Sequence, residues 1–261
     1  ILQVGVCAMD PNTGRIKAWV GGIDFNFFKL DHVRQSTKRQ VGSTIKPLLY
    51  NVALDNGETP CSTIDYTKPS IPGFEKWDPK GTKYFIDGSQ VSLKDGLQVS
   101  DNRVAAQIIK KYGANALIEK AEQLGIDAAF ENVPAICLGT TDISVIEMTG
   151  AYSAYMNAGI YSKPFYIERI EDKNGNVIYQ NRPQSKEVIT QEIAKTMNLM
   201  MQQVSKDRGT ASRLRSQYGF KNEIACKTGT TQSNSDGWFI GSTPSLLTTI
   251  WVGADEPSIT F

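Results

Sequence analysis

β-rich runs stand at both ends of this 261-residue chain, and helix-patterned segments fill the space between them. That arrangement restricts the fold more than any other feature, because it asks the two termini to meet in one antiparallel sheet. At the N-terminal end, residues 3–10 are rich in Val, Gly and Ala. Asp10-Pro11-Asn12-Thr13-Gly14 then supplies turn chemistry, and the alternating run Arg15–Val20 completes a hairpin. At the C-terminal end, Glu223–Thr231, Gly237–Ser242 and Leu246–Val252 are β-rich runs separated by turns. Between them the pattern predicts a helix from near Ser43 to just before Gly57, then helices at 92–98, 103–112 and 116–124. Ser144 and Glu147 form a capping box for a helix reaching Asn157, and 190–205 and 210–215 are helical too. A second hairpin flanks Asn174-Gly175, from Tyr166–Glu171 and Val177–Tyr179. The stretch 59–89, with Pro60, Pro69, Pro72 and Pro79, reads as an irregular surface loop.

The fold class is therefore α+β. An antiparallel sheet built from N- and C-terminal strands is flanked by helices, with an inserted helical lobe and the active site in the cleft between. One domain spans 1–261, with a sheet lobe at about 1–40 and 160–261 and a helical lobe at about 41–159.

A net charge of +1 removes the electrostatic argument for nucleic acid or an anionic membrane as the main partner. No run approaches the ~20 apolar residues of a bilayer span. The chain opens without an initiator Met or signal peptide, which reads as an excised domain. Cys7, Cys61, Cys137 and Cys226 are far apart and His32 is the single histidine, so no metal site and no cofactor are expected. The thiols read as small packed residues, with one disulfide the other option.

Three short motifs carry chemistry. Ser43 and Lys46 lie three positions apart, so both fall on one helix face, within hydrogen-bonding reach. A serine hydroxyl needs a neighbouring base to become nucleophilic, and Lys46 is a candidate. Ser100-Asp101-Asn102 precedes the helix at 103–112, and Lys227-Thr228-Gly229-Thr230 lies in the apolar run 223–231. Taken singly, Ser43, Ser100 and Asp101 fit helix caps, and Lys227 fits an ordinary strand lysine. Each pattern occurs once, and they come in the order Ser-x-x-Lys, Ser-x-Asn, Lys-Thr-Gly.

With these motifs the whole chain resembles the transpeptidase domain of class A (bifunctional) penicillin-binding proteins, in the serine acyl-transferase group that includes β-lactamases. The resemblance extends to Ala8–Ile16, Gly21-Gly22, Leu138–Thr140, Glu147–Tyr152, Trp238–Pro244 and Trp251–Gly253. It implies that Ser43 attacks a D-alanyl-D-alanine bond with Lys46 as base, and that Ser100 relays a proton to the leaving D-alanine. Charge on the carbonyl oxygen would be held by the N–H groups of Ser43 and Thr230. Burial and the charge of Lys227 would lower the pKa of Lys46. Asn102 would bind the substrate's backbone amide, Lys227 with Thr228 and Thr230 its terminal carboxylate, and Gly229 would give clearance. The implied partners are donor and acceptor peptidoglycan stem peptides and, as covalent inhibitors, β-lactams. The implied location is extracytoplasmic, with a membrane anchor and an upstream glycosyltransferase domain in the longer protein.

The Ser-Asp-Asn spelling is also that of class A β-lactamases, which deacylate with a glutamate in a Glu-x-x-x-Asn pattern. No glutamate here has an asparagine four residues later. A D,D-carboxypeptidase, with water as acceptor, and a non-catalytic β-lactam sensor share the acylating residues and stay open as alternatives. Tyr155-x-Asn157 matches a variant middle motif but falls inside a helix, where Tyr155 reads as core. Cys226, where a smaller residue is usual, points to the other face of its strand from Lys227.

Overall fold

The computed structural model describes residues 2–231, 234–254, 256 and 259. Its centre is a five-stranded sheet in the spatial order Ala225–Thr230, Asp236–Thr243, Leu246–Ala254, Leu2–Met9, Ile16–Val20. Every neighbouring pair is antiparallel, and the two chain ends close on each other in the register Val4↔Val252 and Val6↔Ile250. Alternation sets which face meets the helices: Leu247, Thr249 and Trp251 are buried, while Thr248, Ile250 and Val252 between them are only half-covered.

The helices are α1 (Lys46–Asp55), α2 (Leu93–Gln98), α3 (Asn102–Tyr112), α4 (Ala114–Gln123), α5 (Val145–Met156), α6 (Gln191–Gln203) and the single turn α7 (Arg213–Ser216). From Lys46 to Leu54, α1 is buried on every side, as expected of a helix with no polar stripe, and it packs among α3, α4 and α6. α5 lies across the sheet, against the strands Leu2–Met9 and Leu246–Ala254. Its start is the capping box read from the sequence, with Ser144 accepting from Glu147 N and Glu147 accepting from Ser144 N. One continuous apolar core, from Cys7 and Trp251 to Leu49 and Leu97, joins sheet and helices.

Several boundaries differ from the sequence reading. The helix expected from Ser43 is a 3-10 turn over Gly42–Ile45 that passes into α1 at Lys46. Pro47 lacks an N–H and fits only the first α-helical turn, which fixes where α1 begins. The loop 59–89 is not wholly irregular, since Thr63–Asp65 pairs with Gln90–Ser92. Two more ribbons, Arg39–Gln40 with Asp142–Ile143 and Ile160–Ser162 with Ser185–Glu187, are too short to show a period. All four cysteines are free thiols, and Cys61 is exposed where burial was expected. Tyr155 is core, edge-on to Tyr152 at 5.9 Å, and His32 is buried in a stack between Phe28 and Trp251.

Candidate active site

Ser43 reaches its place through two glycines. Gly42 has φ +52°, and a Cβ there would lie 2.6 Å from Thr230 O. Gly139 has φ +80°, donor and acceptor meet at 3.0 Å between Gly42 N and Gly139 O, and a Cβ on Gly139 would lie 1.9 Å from Gly42 O. Only residues without side chains let the Ser43 turn wedge between these two backbones. The turn is further tied down by Tyr152, whose hydroxyl donates to Thr44 O at 2.6 Å, and by Trp238, whose indole N–H donates to Gln40 O at 2.8 Å. Gly229 belongs to the same packing. A Cβ on it would meet Val41 O at 2.7 Å and Thr44 Cγ2 at 2.9 Å, so the clearance expected for a substrate is taken up by the turn itself.

Ser100 arrives from the other side, at the entry to α3. It has φ +56°, a left-handed conformation that costs a non-glycine residue on the order of 1 kcal/mol. Asp101 holds it there. One carboxylate oxygen caps α3 through Arg103 N (2.8 Å) and Val104 N (2.9 Å), and the other accepts from Tyr66 OH (3.0 Å) and Thr82 N (2.7 Å). Asp101 is thus positioned to pin the loop around Thr82 to the start of α3, a role the sequence motif alone left unassigned.

Two buried lysines meet at Ser100. Lys46 Nζ donates to Ser100 O (2.6 Å), Asn102 Oδ1 (2.6 Å) and Ser100 Oγ (3.3 Å). Lys227 Nζ donates to Ser100 Oγ (2.8 Å) and Thr228 O (2.7 Å). Both side chains are fully buried. Burial pulls the Lys46 ammonium down to about 8, with the charge of Asp101 opposing. Burial, then repulsion from Lys46, puts Lys227 well below the ordinary lysine range. Cys137 lies near Lys46, but burial raises its own thiol to about 12 and keeps it uncharged.

The expected direct bond between Ser43 Oγ and Lys46 Nζ is not among those formed by the described residues. Lys46 instead directs its donors to Ser100 and Asn102. Nor does Lys227 line the cleft, as the carboxylate role implied. The half-buried Ser43 stands where two grooves join. One groove is walled by Ser100, Asn102, Thr210, Thr228, Thr230 and Trp238, the other by Trp77, Pro79, Lys80, Leu138 and Thr140. The sequence reading gave Thr210, Trp238, Gly42 and Gly139 no role at the site. A positive φ at a glycine leaves no sequence period, and Thr210 is distant in sequence from all three motifs. Cys226 sits behind its strand in a small apolar cluster with Val204, Ala211 and Ile224. Among the described residues no cluster of His, Cys, Asp and Glu is arranged to hold a metal ion, and no helix is long and apolar enough to cross a membrane.

The penicillin binding protein transpeptidase domain family matches residues 4–254. Penicillin-binding protein 2D of Bacillus subtilis is 34% identical over 98% of this chain and 38% of its own length. Penicillin-binding protein 1A of Aquifex aeolicus is 34% identical over 97% of this chain and 34% of its own length. The chain thus spans about a third of the length of these curated relatives. The crystal structure of penicillin-binding protein 1A from Haemophilus influenzae superposes with a TM-score of 0.90 at 26% identity, covering 99% of this chain and 44% of that one. The chain belongs to the penicillin-binding protein transpeptidase family, on its class A branch. That family is one of serine acyltransferases and peptidases.

Proposed function

We propose that the chain is a peptidoglycan DD-transpeptidase that β-lactams inhibit covalently. The observation that carries this reading is the unbroken hydrogen-bonded path Lys46–Ser100–Lys227 behind a half-exposed serine. Ser43 Oγ attacks the carbonyl of a D-alanyl-D-alanine bond, and neutral Lys46 takes its proton. The oxyanion is held by the N–H groups of Ser43 and Thr230; the close approach of Gly42 to Thr230 supports that pairing. The tetrahedral species expels D-alanine as an amine, and its proton comes from Lys46 by way of Ser100 Oγ. Lys227, bonded to the same oxygen, stabilises the relay and reaches a bound carboxylate only through Ser100 and the strand. Thr228 and Thr230 offer the carboxylate their hydroxyls directly. Asn102 Oδ1 is held by Lys46, which leaves its NH2 for the substrate's backbone amide.

An acceptor amine then attacks the ester, and Lys46 takes its proton and passes it to Ser43 Oγ as the ester bond breaks. The site residues are thus Ser43, Lys46 and Ser100 for catalysis, with Asn102, Lys227, Thr228, Gly229 and Thr230 shaping the substrate site. They lie between a sheet lobe (about 1–40 and 160–261) and a helical lobe (about 41–159). An extracytoplasmic location, a membrane anchor and a glycosyltransferase domain in the longer protein belong to the same proposal. The test supplies a stem peptide with and without a second amine-bearing peptide. Cross-linked product is expected. Hydrolysis alone would make the protein a carboxypeptidase, no peptide turnover a sensor, and rapid cephalosporin turnover a β-lactamase.

A further inference from the structure

Thr210 lies in the segment between α6 and α7, outside every motif, yet its Oγ1 is 2.6 Å from Thr228 Oγ1. Both residues wall the groove beside Ser43. The backbone behind Thr210 is firmly held. Its N–H donates to Gln98 O at 3.3 Å, and Gln98 Nε2 donates to Lys206 O at 3.2 Å. Arg208 reaches Asp95 at 3.3 Å and lies over the Phe85 ring. A Cβ on Gly209 would stand 2.2 Å from Val204 O, so the turn closes tightly just before Thr210. A rigid arm from the helices thus presents one hydroxyl to the strand that carries Lys-Thr-Gly.

We propose that Thr210 determines specificity for carboxylate-bearing substrates by fixing the direction of the Thr228 hydroxyl. The inference rests on the reading that Thr228 binds the substrate's terminal carboxylate. Each hydroxyl has one proton and two lone pairs. When Thr210 donates to Thr228, the O–H left over is that of Thr228, and the shared bond restricts its direction. A carboxylate in the groove accepts that proton in a charge-assisted bond. Without Thr210 the Thr228 hydroxyl rotates freely, and part of the orientation is lost before binding. Thr210 acts here as a positioning residue.

The experiment compares acylation by benzylpenicillin and by its methyl ester, followed by intact-protein mass spectrometry, in wild type, Thr210→Val and Thr210→Ser. Wild type should prefer the free acid. Thr210→Val should slow acylation by the acid about tenfold, the scale of one hydrogen bond to a charged group. The ester, which lacks the anion, should lose little, so the acid-to-ester preference collapses, and Thr210→Ser should restore it. If Thr210→Val fails to fold, Thr210→Ala is read in the same way. An unchanged acid-to-ester preference in a folded variant overturns the proposal. No adduct on wild type at all overturns the acyl-enzyme reading beneath it, and that result is visible before any variant is made.

Discussion

Acylation should be governed by the protonation of one buried amine, so lowering the pH is the most informative perturbation. Lys46 sits fully buried with its pKa brought down to about 8 by desolvation, against the opposing charge of Asp101. Only its neutral form can take the Ser43 proton. At one pH unit below that value about a tenth of the enzyme is competent, and at two units about a hundredth. The second-order rate constant for penicillin labelling should therefore rise about tenfold from pH 6 to 7 and about fivefold from 7 to 8, then level off within a further factor of about two. An ordinary exposed lysine, near 10.4, would put the plateau beyond reach of the assay. The measurement is the rate of labelling by a fluorescent penicillin between pH 5.5 and 9.5, with circular dichroism showing the protein folded at each point. A flat profile from pH 6 to 9 would refute Lys46 as the base. A profile still climbing steeply at pH 9.5 would refute the burial argument, because the amine would then be hydrated.

Gly139→Ala places a Cβ 1.9 Å from Gly42 O at a positive φ, and should lower stability by about 3 kcal/mol or more in urea titration while slowing acylation through a displaced Ser43 turn. Asp101→Ala removes the cap of α3 and strands Tyr66 OH and Thr82 N, at a cost of about 2–4 kcal/mol, with labelling slowed because Ser100 is no longer held. Asp101→Asn keeps the capping oxygen and should lose less in the same titration. Cys226→Ala leaves a small void in the cluster around Val204, about 1 kcal/mol of stability, and should leave the labelling rate nearly intact.

The sheet was legible because its strands are long and bounded by turn residues. Asp10–Gly14 and the β-rich Leu246–Val252 announce themselves locally: the first is the turn joining the strands Leu2–Met9 and Ile16–Val20, and the second lies in a strand of the same five-stranded sheet. Ser144 and Glu147 likewise spell a cap that the structure contains. What escaped was decided at a distance. The two- and three-residue ribbons have no period, and Pro47 turned a helix start into a 3-10 turn. The motif residues do converge, with Ser43, Ser100, Asn102, Thr228 and Thr230 around one groove. Which atom bonds which was not readable. Lys46 pairs with Ser100 and Asn102 instead of Ser43, because Ser100 takes a left-handed backbone that turns its carbonyl toward the amine. Thr210 was invisible for the same reason, since its partner lies 18 residues away in sequence.

The account stands most directly on where a β-lactam attaches and how long it stays. Protein incubated with benzylpenicillin, digested and mapped by mass spectrometry, should carry one adduct, on the peptide containing Ser43. The adduct should persist over hours, and Ser43→Ala should remove it entirely. An adduct on another residue, or rapid release of hydrolysed penicillin with no lasting ester, would contradict a serine that forms an ester and waits for an amine.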